Sequence, residues 1–378
     1  MAKLPSGYRY RSDGKVEARF TINGKRYSCY ANTVKECREK ETELREQIKK
    51  GLYASNRNIT LNQYFEEWEK TRAGSVKEST QLRVRREYNS HIKHTLGSRR
   101  IVDIERREVQ LFQQKLLDKL KPSTANNVFV VLQMILKSAV IDDIIVKSPA
   151  IGIKALKVED KKIASKTIHR ALTREEQEQF MKEAKNFWLY EYMAFLLCTG
   201  VRMGEAAALT WHDVDYTNNV VHINKTTSKD SNNDWVITTP KSKTSVRDIP
   251  LNDTIKDILR MQREKMVSVN GNIIDFSQTV FRGYCGNYVS DVNVNYEIRA
   301  ILKKLKEKKV VIDRFTCHAF RDTFATRYIE EGGSAQVLKT ILGHSSLSMT
   351  MDLYSHVMPD TKQKEMELID SAFKMVTG

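Results

Sequence analysis

Two arginines in the second half of the chain stand where they are suited to binding one phosphate. Arg202 lies between Gly200 and Gly204, and Arg321 comes three residues after His318. A phosphodiester gains charge on its equatorial oxygens when an oxygen attacks phosphorus, and a planar guanidinium can hydrogen-bond two such oxygens at once. This pair therefore fits the transition state of phosphoryl transfer.

Two histidines and a tyrosine complete a candidate nucleophilic site. His318 and Arg321 have the spacing that places two side chains on one face of a helix. His344 follows Gly343, and Tyr354 comes after it. A phenol has an ordinary pKa of about 10, so it needs nearby cations and a proton acceptor before it can attack phosphorus. The arginines and imidazoles would provide that environment for Tyr354.

A lysine is the natural proton donor to the oxygen that leaves, provided that neighbouring arginines lower its pKa. The run Pro240-Lys241-Ser242-Lys243 offers Lys241 as the first choice and Lys243 as an alternative. Lys225 is a further candidate. The strand-like runs 220–223 and 235–239 bracket a polar turn ahead of this run, which predicts a hairpin that carries the lysine.

The elements that must position these groups are visible in the pattern. The apolar run 193–197 predicts a buried helix that leads into the turn with Arg202, and Glu205 is placed to orient that arginine. Thr173 and Glu176 have the spacing of a capping box, which predicts the first helix of the segment that holds the whole site.

Composition points to a polyanionic partner. The chain has 378 residues, 40% of them hydrophobic, and a formal net charge of +16 with a pI of 9.4. It can therefore bury a large core, and its basic surface favours nucleic acid over the alternatives of an anionic membrane or a simply solvated surface. No apolar run of about 18 residues and no signal peptide is recognisable, so we expect a soluble, intracellular protein.

The chemistry expected here needs neither metal nor cofactor. The cysteines are scattered, without Cys-x-x-Cys or Cys/His ligand spacing, and are expected to be reduced thiols: Cys29, Cys37, Cys198, Cys285 and Cys317. A P-loop, a dinucleotide fingerprint and a His-Glu-x-x-His motif are all absent from the sequence.

The first 57 residues predict a small sheet followed by a helix. Asp13-Gly14 and Asn23-Gly24 supply hairpin turns between three strand-like runs, and Thr33 caps the helix that follows. A narrow basic ribbon of this kind can enter the major groove of DNA. The candidate DNA contacts are Arg9, Arg11, Arg19, Lys25 and Arg26. A protein-binding or purely stabilising module with solvated charges is the alternative.

Residues 58–150 predict a helical domain. Thr60 and Gln63 resemble a capping box, and apolar residues from Val128 to Leu136 form a one-sided stripe. Residues 151–167 turn polar and rich in lysine, which predicts a linker lying along DNA, and residues 168–378 hold the proposed site. The fold class expected is multidomain α+β, with a three-stranded sheet plus helix, an all-α domain and a mixed, mainly helical domain.

The run of motifs from Ala171 to Val357 resembles the catalytic domain of tyrosine recombinases, and the whole chain resembles three-part integrases of phages and integrative conjugative elements. The resemblance implies an arm-type DNA-binding domain, a core-binding domain and a catalytic domain. It also implies that Tyr354 cleaves DNA through a 3′-phosphotyrosyl bond, that His318 assists proton transfer at the tyrosine, and that His344 hydrogen-bonds the phosphate.

Further expectations follow from the same resemblance. The protein would act as a tetramer on two double-stranded DNA sites, exchange strands through a Holliday junction, and integrate or excise a mobile element in the bacterial cytoplasm, associated with the nucleoid. An excision factor and a host DNA-bending protein are possible partners. The tail from Thr361 onward has an apolar stripe to bury. The resemblance implies that it docks on a neighbouring protomer, and packing on its own domain is the alternative. A type IB topoisomerase and a catalytically silent DNA-binding protein are the competing interpretations.

Overall fold

The computed structural model describes residues 4–22, 24–49, 58–156, 170–240, 242–270 and 278–347. The chain divides into two compact units, Met1–Glu159 and Asp160–Gly378. The finer domain boundaries at residues 57, 150 and 167 stay predictions.

The first unit begins with a three-stranded antiparallel sheet and one helix. The strands are ordered β1-β2-β3, and they and the helix are β1 Tyr8–Tyr10, β2 Val16–Ile22, β3 Lys25–Ala31 and α1 Val34–Lys49. Val16, Ala18 and Phe20 are buried while Arg19 and Thr21 are exposed, so the predicted alternation is present. The thiol of Cys37, on α1, donates to the carbonyl of Val16, which fixes the helix on the apolar face.

One residue departs from this alternation. Glu17 lies on the polar face of β2 yet is only 4% exposed. Its two oxygens accept hydrogen bonds from Arg9 Nε at 2.7 Å and Arg19 Nε at 3.0 Å. The two arginine side chains therefore cover the carboxylate.

The rest of the first unit is helical, as predicted. Its helices are α2 Leu61–Arg72, α3 Glu78–Glu87, α4 Arg106–Leu117 and α5 Pro122–Ile141. The capping box at Thr60 and Gln63 is present in both directions. A single π-helical turn, Tyr88–Ile92, continues α3.

Helix α5 is long and apolar enough to cross a membrane by length and composition, a run that the sequence interpretation did not recognise. Its side chains contribute to the core of the helical unit, and core helices commonly have this length and composition. The buried members are Ala125, Val128, Phe129, Val131, Leu132, Ile135, Leu136 and Ala139.

The first residues of the predicted linker pack against the helical unit. Ile153 is buried, and the Asn126 side-chain amide makes two hydrogen bonds to the backbone of Leu156, at 2.8 and 3.0 Å. The Gln113 amide also donates to the carbonyl of Lys154 at 2.9 Å. The remainder of that segment, 157–169, lies outside the described residues.

The second unit combines seven described α-helices with two small antiparallel sheets, ordered β4-β5-β8 and β6-β7. Its helices are α6 Arg174–Ala184, α7 Tyr190–Thr199, α8 Met203–Ala208, α9 Asp253–Asn270, α10 Asp291–Glu307, α11 His318–Glu330 and α12 Ala335–Leu342. Its strands are β4 Val214–Asp215, β5 Val220–Ile223, β6 Thr226–Lys229, β7 Trp235–Thr238 and β8 Arg247–Pro250.

The predicted hairpin differs in its pairing. The runs 220–223 and 235–239 do contain strands, but β5 pairs with β4 and β8, whereas β7 pairs with β6. The sequence did not predict strand β6, because Thr226-Thr227-Ser228-Lys229 has no apolar residue. Helix α7 is buried as predicted, since Met193, Phe195 and Leu196 are at most 2% exposed.

Candidate active site

Arg202 is delivered by the turn that follows the buried helix α7. The helix ends at Gly200, which has a left-handed φ of 63°, and Arg202 is the N-cap of α8. A Cβ at Gly200 would lie 2.3 Å from the ring of Phe324 and 2.9 Å from Leu342, so only glycine fits. The close approach of this turn to α11 and α12 therefore depends on Gly200.

Glu205 holds Arg202, as the sequence suggested. Its carboxylate is 3% exposed, and Oε1 accepts from Arg202 Nη1 at 3.0 Å. Oε2 accepts from the backbone N–H of Arg202 at 2.9 Å and from Nη2 of Arg247 at 2.9 Å. Burial by itself raises the pKa of Glu205, but the hydrogen bonds and charges of Arg247 and Arg202 outweigh it and hold the pKa below its ordinary value. The carboxylate is therefore ionised at neutral pH.

Arg321 lies in the first turn of α11 and spans two backbone segments. Nη1 donates to the carbonyl of Gly200 and Nη2 to the carbonyl of Leu342, both at 2.7 Å. Burial, together with the charge of Arg202, lowers the pKa of Arg321 to about 9. The guanidinium is still protonated at neutral pH, and an arriving anion would stabilise it.

His344 follows directly after α12. The helix ends at Gly343, whose φ of 65° is again left-handed, and His344 is half-buried. Burial first, and then the charges of Arg321, Arg202 and Arg247, lower the pKa of His344 to about 4. Its imidazole is therefore neutral at pH 7 and carries one ring N–H that can donate a hydrogen bond.

His318 begins α11 one helical turn before Arg321, and its side chain is exposed. Tyr354 lies outside the described residues, as do the whole tail and Lys241. Lys243 belongs to a short 3₁₀ turn, Lys243–Ser245, whose first side chain is not described. The structure thus brings Arg202, Arg321 and His344 together, while Tyr354 and Lys241 stay predictions.

Lys225, the further lysine candidate, is described and lies next to the helix of Arg202. It directly precedes β6, which packs on α8 so closely that a Cβ at Gly204 would come within 2.7 Å of Thr226 Oγ1. The Lys225 ammonium is 2.7 Å from the carboxylate of Asp213 and 3.1 Å from Thr210 Oγ1. This anchoring is a geometric reason to keep Lys225 as a rival to Lys241.

Sequence reasoning missed the role of Arg247. Its side chain is 4% exposed, and it forms a buried ion pair with Glu205. The available signal was the alternation of β8, in which Arg247 and Ile249 share the buried face. A charged residue at an apolar position of a strand indicates a buried partner.

The predicted arm contacts share one face of the N-terminal sheet. The cross-strand partners Arg9 with Glu17, and Thr21 with Arg26, place Arg9, Arg19 and Arg26 on the face opposite α1. Arg11 lies over the ring of Tyr30 at 5.2 Å from its centroid. The side chain of Lys25 is not described.

The described residues contain no group of three or more His, Cys, Asp and Glu side chains arranged to hold a metal ion.

Comparisons with known proteins match this architecture. The phage integrase family matches residues 170–360, and the N-terminal SAM-like domain of phage integrases matches residues 60–117. A tyrosine recombinase XerC-like protein of Caldanaerobacter subterraneus is 27% identical over 96% of this chain and 98% of its own length. The transposase of transposon Tn916 from Enterococcus faecalis is 27% identical over 88% of this chain and 83% of its length.

Solved structures agree. The Tn1549 transposon integrase in complex with a circular intermediate DNA has a TM-score of 0.69 at 25% identity, covering 82% of this chain and all of that chain. A lambda integrase tetramer bound to a Holliday junction has a TM-score of 0.58 at 18% identity, covering 93% and 96%, which shows the shared fold. The chain belongs to the phage integrase family and is a tyrosine-type DNA recombinase.

Proposed function

We propose that this integrase cleaves DNA by attack of the Tyr354 hydroxyl on a phosphodiester held by Arg202 and Arg321. The observation that carries the proposal is the convergence of these two guanidinium groups on the end of α12, where they donate to the neighbouring carbonyls Gly343 and Leu342. Each fork retains N–H donors for an anion, and Arg202 is 40% exposed.

The charge balance of the cluster supports a phosphate as its ligand. Three guanidinium groups, those of Arg202, Arg247 and Arg321, lie around the carboxylate of Glu205, and Asp322 is a second carboxylate that acts on Arg321. A bound phosphodiester would offset part of this excess charge. As the oxygen of Tyr354 bonds to phosphorus, further negative charge develops on the equatorial oxygens, and fixed donors stabilise it at little reorganisation cost.

Proton transfers complete the step. The new bond joins Tyr354 Oη to phosphorus, the bond from phosphorus to the 5′-oxygen breaks, and the phenol proton passes to His318. Neutral His344 donates a hydrogen bond to a non-bridging oxygen. A lysine ammonium gives its proton to the 5′-oxygen, leaving a 5′-hydroxyl and a 3′-phosphotyrosyl bond. The reverse reaction with a 5′-hydroxyl of another strand rejoins DNA without ATP, because the phosphotyrosyl bond conserves the energy of the phosphodiester.

Lys241 is the proton donor proposed from sequence, with Lys243 and Lys225 as alternatives, and the anchored position of Lys225 beside α8 supports Lys225. A DNA strand with sulfur in place of the 5′-bridging oxygen separates the three. Thiolate leaves without a proton, since a thiol has a pKa near 8.5. The true donor is the lysine whose change to alanine slows cleavage of ordinary DNA by about 100-fold but leaves cleavage of the sulfur substrate unchanged. A variant slowed equally on both substrates has a different role.

Strand exchange would take place in a tetramer on two double-stranded DNA sites, through a Holliday junction, and would integrate or excise a mobile element. The lambda integrase tetramer bound to such a junction shares this fold and supports the proposal. The tail after Pro359 would dock on a neighbouring protomer. Deleting it should impair assembly on paired sites, and a fully active truncation would exclude docking in trans.

The N-terminal sheet would bind arm-type DNA through Arg9, Arg19 and Arg26, with Arg11 and Lys25 beside them. These arginines lie on the face that α1 leaves uncovered. An excision factor and a host DNA-bending protein are further proposed partners, and the proposed site of action is the nucleoid in the bacterial cytoplasm.

The experiment is a suicide substrate nicked near the cleavage site, incubated with protein in the presence of a chelator. We expect a covalent protein–DNA adduct from the wild type and none from Tyr354→Phe. Two distinguishable duplexes then separate the alternatives: joining of one to the other marks a recombinase, and relaxation of supercoils without joining marks a type IB topoisomerase. Binding without any adduct would identify a silent DNA-binding protein and contradict the proposal.

A further inference from the structure

Arg247 is a fully engaged arginine at the centre of the site that the proposed reaction does not use. With its side chain 4% exposed, it offers no face to DNA. Nε donates to the carbonyl of Ile341, Nη1 to the carbonyl of Ser245 at 2.9 Å, and Nη2 to Glu205 at 2.9 Å. Such a residue acts on the reaction only through the groups that it holds.

Three arginines donate hydrogen bonds to three consecutive backbone carbonyls at the end of α12. The carbonyls of Ile341, Leu342 and Gly343 accept from Arg247, Arg321 and Arg202 respectively. The last carbonyls of a helix have no partner within the helix and carry partial negative charge, so guanidinium groups suit them. His344 is the next residue, which means that these bonds determine where its imidazole lies.

Arg247 also shares Glu205 with Arg202. One carboxylate oxygen accepts from the Arg202 side chain, and the other from Arg247 and the Arg202 backbone. Without Arg247, the buried carboxylate would lose one of two charged partners. It would then attract Arg202 more strongly and compete with the phosphate for that guanidinium.

A third contact ties Arg247 to the turn after the lysine run. Its Nη1 holds the carbonyl of Ser245, the last residue of the 3₁₀ turn. A Cβ at Gly343 would lie 3.0 Å from the carbonyl of Thr244 and 3.1 Å from Arg247 Nη1, so this turn lies directly against the end of α12. Arg247 occupies the point where the turn, the helix end and Glu205 meet.

We propose that Arg247 is a positioning residue of the recombinase, which sets Glu205 and the end of α12 and thereby aligns Arg202 and His344 on the scissile phosphate. The inference rests on the proposed function. It predicts that loss of Arg247 slows the covalent step while leaving DNA binding intact, because the contacts to DNA come from other residues.

The test compares Arg247→Met, Arg247→Lys, Glu205→Gln and the double variant Glu205→Gln/Arg247→Met in the full-length protein. Arg260→Met is the matched control, since Arg260 pairs with Asp257 on the same unit with its side chain 66% exposed. The readouts are the dissociation constant for a site-containing duplex and the single-turnover rate of adduct formation on the suicide substrate.

We expect Arg247→Met to form adduct about 100-fold more slowly, the effect of a displacement of about 1 Å at a reacting group. Its DNA affinity should stay within about threefold, and Arg247→Lys should recover part of the rate because the charge remains. If Arg247 acts through Glu205, the effects of the two single changes are not independent, and the double variant should be much faster than the product of the two single effects predicts.

Wild-type cleavage by Arg247→Met, or a double variant as slow as that product, would overturn the inference. Thermal unfolding checks each variant. If Arg247→Met does not fold, two other variants test the inference. Arg247→Lys keeps the charge, and the double variant leaves no buried charge unpaired, so the cleavage rates of these two variants decide whether Arg247 positions the site. Failure of the wild type to form a Tyr354-dependent adduct would instead overturn the proposed function.

Discussion

Two carboxylates in this chain each lie between two arginines, and the surroundings of the arginines differ. In the N-terminal sheet, Glu17 bridges Arg9 and Arg19, whose side chains are both 57% exposed. In the second unit, Glu205 bridges Arg202, which is 40% exposed, and Arg247, which is 4% exposed. Glu17 thus holds two arginines at the surface, whereas Glu205 joins the partly exposed Arg202 to the buried Arg247.

The difference in exposure matches the proposed roles of the two clusters, DNA binding at the sheet and catalysis in the second unit. Exposed guanidinium groups can adjust to the backbone of a DNA duplex, and their contribution is largely electrostatic and sensitive to salt. Groups held by buried partners are already arranged when charge develops in a transition state, so they serve catalysis. Changes at the sheet should therefore alter affinity, and changes in the second unit should alter the rate of cleavage.

The largest effect is expected from Arg202→Ala and Arg321→Ala. Loss of a fixed donor to the developing charge should slow adduct formation by about 10²- to 10³-fold, while affinity for the site changes little. Arg19→Ala, the counterpart in the sheet, should weaken arm-DNA binding with no change in the cleavage rate once DNA is bound. Equal cleavage rates for Arg321→Ala and the wild type would contradict the distinction.

Gly200→Ala is expected to destabilise the second unit by about 3 kcal/mol, because a methyl group would overlap Phe324 and the backbone would be strained at positive φ. Gly14→Ala is the matched change in the sheet. Gly14 also has a positive φ, of 79°, but no atom lies within 4 Å of the added carbon, so only the strain of about 1 kcal/mol remains. Denaturant unfolding measures both, and equal costs would refute the role of close packing at Gly200.

His344 should give the second unit a pH-dependent stability. Its pKa is lowered to about 4 in the folded protein, against about 6.5 in the unfolded chain. Between these values the unfolded state binds more protons, so stability is present above pH 6.5 and is lost as the pH falls toward 4. Melting temperatures from pH 7.5 to 4.5 should fall less in His344→Asn than in the wild type. Parallel curves would show that His344 titrates normally.

The smallest effect is expected from Glu17→Gln. The hydrogen bonds from Arg9 and Arg19 hold the pKa of Glu17 below its ordinary value, so the carboxylate is charged. Removing that charge beside the two arginines proposed to contact DNA should strengthen arm-DNA binding about two- to threefold at low salt. Glu205→Gln, the matching change in the second unit, should be harmful instead and should slow cleavage. Weaker arm binding by Glu17→Gln would indicate that Glu17 is needed chiefly to orient the arginines.

Local features of this fold were predictable from sequence. The capping boxes at Thr60 and Thr173 are both present, and the buried helix around Met193 leads into the turn of Arg202. Such signals depend on residues a few positions apart, and the backbone groups that they satisfy are close in sequence. The orientation of Arg202 by Glu205 was predictable for the same reason.

The contacts that assemble the site were not predictable in this way. The bond between Arg247 and Glu205 joins residues 42 positions apart, and the bond between Arg202 and Gly343 spans 141. Strand β6 belongs to a two-stranded sheet and is only partly buried, and its sequence lacks the apolar alternation that marks a strand. The alternation of β8 could indicate that Arg247 is buried, but its partners on α8 and α12 become apparent only when the three elements are placed together.

The most direct test of the central claim is to identify the residue that bonds to DNA. After reaction with the suicide substrate, nuclease and trypsin digestion should leave a nucleotide on the tryptic peptide 340–362, whose only tyrosine is Tyr354. Fragmentation by mass spectrometry should locate the added mass on that phenol. A nucleotide on any other residue, or an adduct that persists in Tyr354→Phe, would contradict the account.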